Sequence, residues 1–165
     1  VQKALFSFPD PVNEVSARLV AAGVALASVA TIASATPWLT ALIAYGFLAR
    51  VAAGPTLSPL GQMVTRVITP RLPVPPRPVP GPPKRFAQAI GAVLSSSAAL
   101  LALALGLPSA GYALLGLLAA AATLEAAFGV CLGCRAFAIL MRIGVIPAQV
   151  CERCSDLTRP AAQRA

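Results

Sequence analysis

The run Leu19–Ala49, LVAAGVALASVATIASATPWLTALIAYGFLA, contains no Asp, Glu, Lys or Arg. One helical crossing of a bilayer takes about 20 residues, so this run holds two, broken at Thr36-Pro37 because proline cannot continue a helix. A second uncharged run, Phe86–Leu124, has the same capacity and breaks at Gly106, Pro108 and Gly111. The chain therefore reads as an all-α membrane protein with four transmembrane helices, at about 11–35, 37–53, 86–107 and 111–130, arranged as two hairpins. Composition agrees: 58% of the residues are apolar and 11% charged, far from the balance of a soluble domain. Ala, Gly and Ser dominate the spans, as close helix packing in lipid requires.

The formal net charge of +8 would suggest nucleic acid in a soluble protein. Here the aromatic and basic interleaving of a stacking platform is absent, so no nucleic acid is expected and membrane lipids are the first partner. All thirteen Lys and Arg residues fall near the N-terminus, in the 50–85 region or after Cys134, and none lies in the two hairpin turns. The positive-inside rule then puts both termini on the cytoplasmic side. Lys3 precedes an apolar run ending in Ala33-Ser34-Ala35, a signal-peptide-like pattern that we read as a membrane helix. Trp38 suits either an aromatic belt or simple packing.

Between the hairpins the chain changes character. Asp10-Pro11 has the form of a helix cap followed by a first-turn proline, and Ser58-Pro59 repeats it. The second opens a short helix whose Leu60, Met63, Val64, Val67 and Ile68 predict one apolar face. That helix lies on the membrane surface with Arg66 in the headgroups, or packs on protein. From Pro70 to Pro83 eight of fourteen residues are proline, a stiff extended spacer for which neither helix nor sheet ladder is expected. The organisation is thus a first hairpin over 1–57, an interfacial helix and proline-rich linker over 58–85, a second hairpin over 86–130, and a four-cysteine cytoplasmic segment over 131–165.

Laying one hairpin on the other sets Arg50-Val-Ala-Ala-Gly54 opposite Glu125-Ala-Ala-Phe-Gly129. This reads as a parallel repeat about an axis along the membrane normal. It predicts that Arg50 and Glu125 form a buried ion pair beneath the cysteine site, because a lone charge in hydrocarbon is costly. The pair would serve either that site or the joining of the hairpins.

All four cysteines lie in two C-x-x-C pairs, Cys131/Cys134 and Cys151/Cys154, with sixteen residues between them. The spacing suits four converging sulfurs, and two chemistries follow. Thiols of this kind exchange disulfides when a thiolate is favoured. A short helix over 135–143 would present its N-terminus to Cys134, and Arg135, Arg142 and Arg153 would add positive charge. Alternatively the four cysteines hold Zn2+ as a closed structural tetrathiolate, or an iron–sulfur cluster with the same ligands. There is no histidine and no Gly-rich phosphate loop.

The runs Ala49–Gly61 and Pro80–Gly91, then Leu124-Glu125, Cys131-Leu-Gly-Cys134 and the closing Cys151-x-x-Cys154, resemble the bacterial membrane-protein family DUF4395. The resemblance singles out Arg50, Gly54, Pro55, Lys84, Arg85, Glu125 and the four cysteines. It implies a small multi-helix membrane protein, often encoded near thioredoxin-like and rhodanese-like proteins, and the bacterial inner membrane is the expected location. The leading expectation is thiol–disulfide or persulfide exchange with such a partner, an oxidoreductase or sulfur-relay role needing no cofactor. In it Cys131 and Cys134 react, and Cys151 and Cys154 resolve. The alternatives are a non-catalytic zinc scaffold and a transporter of a small sulfur-containing anion, the latter requiring a homo-oligomer for room.

Overall fold

The computed structural model describes residues 8–151 and Cys154. Four helical stretches are long and apolar enough to cross a membrane, Glu14–Ala33, Leu39–Arg71, Gly81–Ala104 and Pro108–Phe128, as the uncharged runs predict. α1 (Glu14–Ala33) is capped by Asn13, whose side chain accepts the Val15 N–H at 3.1 Å. Asp10 is not the cap expected of it. Its carboxylate instead accepts the Gly81 N–H at 3.0 Å, and the Asp10–Pro11 peptide is cis.

α2 (Leu39–Ala53) stops at Gly54, whose φ of 61° is costly for other residues. Ser58 caps α3 (Pro59–Met63) as expected, its Oγ accepting the Gly61 N–H at 3.3 Å. A wider π-helical turn, Val64–Ile68, and a tight one, Thr69–Arg71, complete this segment. The predicted single apolar face is split. Val64 is fully buried and Leu60 packs on α1 at Gly23, whereas Met63 and Val67 are exposed.

The proline spacer departs from expectation at both ends, which are helical, and in one strand pairing. β1 (Val12–Asn13) pairs antiparallel with β2 (Pro78–Val79), because proline lacks a donor but keeps its acceptor and Val79 supplies an N–H. α4 (Gly81–Ala99) starts before the predicted Phe86, with prolines in its first turn where a missing N–H is harmless. A π-helical turn, Leu100–Ala104, prolongs it. α5 (Pro108–Phe128) closes on left-handed Gly129, and α6 (Leu132–Arg142) follows.

The largest interfaces join α1 to α5 and α2 to α4, while the two members of the first hairpin touch only lightly. Val20, Val24, Phe47, Val64, Leu115 and Leu118 belong to the shared core. Leu26, Val93, Leu117 and Phe128 are exposed, as side chains facing lipid would be. α2 and α4 approach closely at Gly91, where an added methyl would run into the buried Phe47 ring. Gly91→Ala should therefore destabilise the fold by about 1–3 kcal/mol, the usual cost of overpacking. Gly116→Ala, with nothing within 4 Å of its new methyl, should be harmless; denaturant midpoints in detergent compare the two.

Candidate functional site

α4 lies against both α2 and α5 and carries two polar side chains, Lys84 and Gln88, one helical turn apart on one face. Lys84 Nζ meets Glu125 Oε1 of α5 at 2.6 Å. Gln88 Oε1 accepts the Arg50 Nε–H of α2 at 2.8 Å. The expected Arg50–Glu125 pair is thus not the one formed. With α4 beginning at Gly81, Lys84 sits inside the helix and reaches the carboxylate. Arg50 is held instead by Gln88, by Ser58 Oγ at 3.1 Å, and over the Phe47 ring at 4.4 Å.

The end of α5 is fixed by α1. Arg18 donates to the Ala126 and Ala127 carbonyls at 2.9–3.1 Å, the last carbonyls of a helix being the ones without intrahelical partners. The left-handed turn at Gly129 then leads the chain to Cys131, which stands at the N-cap of α6. The predicted helix over 135–143 therefore starts earlier, and the thiol at its N-terminus is Cys131 rather than Cys134. α6 packs on α4 closely enough that a methyl on Gly133 would strike the Ala87 backbone.

Cys131 and Cys134 are free thiols, one buried and one half-buried, and Cys151 is bonded to Cys154. Phe137, one turn beyond Cys134, clusters with the two bonded cysteines and packs edge-on against Phe86. Cys131, Cys134 and Cys154 line one cavity of about 370 Å³, with Lys84, Arg135 and Arg142 also on its wall. Members of both cysteine pairs are thus brought to one place. Here two of the four sulfurs are bonded to each other, and a closed tetrathiolate would need all four as thiolates. Among the described residues no three Cys, Asp or Glu side chains are grouped for a metal.

The thiols are unequal. Cys134 donates its S–H to the Cys131 sulfur, which lowers the Cys131 pKa below the ordinary 9.0; the Lys84 ammonium adds to this, against burial and the Glu125 charge. The same hydrogen bond holds the Cys134 proton in place, and with burial it pushes that thiol up. Of the two, Cys131 ionises first. The cation acting on it is Lys84, which the resemblance singles out without giving it this role, whereas Arg135 and Arg142 are exposed to solvent. Arg153 lies outside the described residues. The resemblance singles out Lys84 but not Gln88, and the face they share depends on where α4 begins.

Because Lys84 and Glu125 act on Cys131 with opposite sign, neutralising each should move its titration oppositely. The pH midpoint of Cys131 alkylation by iodoacetamide should lie below 9.0, fall further in Glu125→Gln and rise in Lys84→Gln. A shared purely structural role would shift both variants the same way.

Apolar spans ending in a dithiol and a disulfide around one cavity define a helical membrane protein with a paired-cysteine site. The chain belongs to the DUF4395 family: the model of that family, described as a domain of unknown function, matches residues 12–142. The match includes Cys131 and Cys134 and ends before Cys151 and Cys154, so the second pair lies beyond the matched region, although the resemblance was expected to reach it. No curated protein and no solved structure matches the chain.

Proposed function

We propose that the protein is a membrane-embedded thiol–disulfide exchanger in which the Cys131/Cys134 dithiol and the Cys151–Cys154 disulfide are the two halves of one relay. The observation that carries this reading is the single cavity lined by Cys131, Cys134 and Cys154, with one pair free and the other bonded. The Cys131 thiolate attacks the Cys154 sulfur. A Cys131–Cys154 bond forms, the Cys151–Cys154 bond breaks, and Cys151 leaves as a thiolate that takes the proton released by Cys134. Cys134 then attacks Cys131, forming their disulfide and releasing Cys154. Two electrons pass from the first pair to the second without an outside oxidant.

A reduced thioredoxin-like protein returns the Cys131–Cys134 disulfide to thiols and is itself oxidised, and a disulfide-bearing partner takes the electrons of Cys151 and Cys154 and re-forms their bond. A rhodanese-like partner would instead give Cys131 the outer sulfur of its persulfide and leave as a thiolate. This partner class rests on the family resemblance. The hairpin turns carry no Lys or Arg, which favours both termini, and the site, on the cytoplasmic side of a bacterial inner membrane. A parallel repeat is supported by the interfaces: exchanging the hairpins maps the α1–α5 contact onto α4–α2.

Trapping the thiols of fully reduced protein with a mass tag before and after one equivalent of mild oxidant tests the relay. Alternating Cys131–Cys134 and Cys151–Cys154 disulfides are expected. Four inert thiols, or one zinc per chain in protein purified without added metal, would overturn it.

A further inference from the structure

On the other side of Lys84 lies a second cavity, of about 340 Å³. Arg50 lines it and is 6% exposed. A guanidinium buried in an apolar bundle ordinarily faces a carboxylate, yet among the described residues Arg50 has none. Its Nε and Nη1 are used on the neutral oxygens of Gln88 and Ser58, and its plane lies over Phe47. These contacts fix the group, and no carboxylate of the described residues matches its charge. The other cation on the wall, Lys84, is already neutralised by Glu125 at 2.6 Å.

The remaining wall is mixed. Ser16, Thr65 and Thr69 supply hydroxyls, while Pro11, Val12 and Val20 supply apolar surface. The volume falls within the range of small-molecule sites. We infer that this cavity binds a small monoanion: an oxyanion headgroup, carboxylate-like, on the open side of the Arg50 guanidinium, with an apolar body against the proline and valine wall. Guanidinium suits this because, with its Nε–H and one Nη1–H engaged, it keeps N–H donors on Nη1 and Nη2 for an oxyanion. The headgroup chemistry is shared by a free organic acid and by the acidic headgroup of a lipid. The inference does not depend on the thiols, and its readout involves none of them.

Protein in a neutral detergent is titrated with sodium octanoate, and with octanol as the uncharged control, following the thermal unfolding midpoint. A saturable rise with octanoate and none with octanol is expected. Arg50→Gln should weaken the response more than about tenfold, the effect of losing about 1.4 kcal/mol or more of charge-assisted hydrogen bonding. Should Arg50→Gln fail to fold, Ala17→Leu narrows the cavity without touching the bonds of Arg50 and should weaken octanoate similarly. Nanodiscs of phosphatidylglycerol and of phosphatidylcholine form the second arm. A rise with phosphatidylglycerol alone, lost in Ala17→Leu, supports the site and assigns it to a lipid headgroup; a rise with octanoate alone assigns it to a free acid, and a rise with both supports the shared headgroup chemistry. No response to either anion, an equal response to octanol, or a folded Arg50→Gln or Ala17→Leu protein responding like the wild type overturns the inference.

Discussion

Cys134→Ser should arrest the protein midway, with Cys131 joined covalently to Cys154. In the relay proposed above Cys134 breaks that bond; a serine hydroxyl cannot, because exchange needs a thiolate. Cys131→Ser should give the opposite result, an unreacted Cys151–Cys154 disulfide and exchange at the background of a cysteine-free chain. The asymmetry follows from the unequal pair, in which Cys134 holds its proton and Cys131 accepts it. Peptide mapping under non-reducing conditions identifies the trapped bond. If both variants exchanged at the wild-type rate, Cys131 would not be the nucleophile.

Removing one member of the Lys84–Glu125 pair should have the largest effect on stability. The two side chains are only 10% and 16% exposed, so water screens the survivor poorly. Lys84→Met should cost about 3–5 kcal/mol, the usual penalty for stranding one buried charge. Lys84→Met with Glu125→Leu should recover most of that loss, because an apolar pair of similar volume leaves no charge behind. Unfolding midpoints in mixed detergent measure both. A double variant as unstable as the single would show that the helices need the ions themselves.

The spans were legible because a bilayer imposes a coarse rule: long uncharged runs bounded by proline and glycine have few other uses. Ser58 was legible for a local reason, a capping side chain that needs only its own neighbours. The failures share a different cause. Asp10 leaves the capping of α1 to Asn13 and binds Gly81 instead, a choice made by a segment 71 residues away. Repeat register pairs Arg50 with Glu125, but Glu125 is met by Lys84 because α4 lies against both α2 and α5. Helix phase decides this, and phase depends on a start point hidden by Pro80, Pro82 and Pro83. The C-x-x-C spacing indicates that the sulfurs meet, yet spacing alone says nothing of which pair is bonded.

The interleaving of the two hairpins also governs assembly during synthesis. When the first pair of helices leaves the ribosome, the face of α1 carrying Val20 and Val24 has no permanent neighbour, since its main companion is α5. Lipid must cover that face until α5 has been made. The cavity lined by Cys131, Cys134 and Cys154, which follow α5 in the chain, is therefore completed only after all four spans have been made.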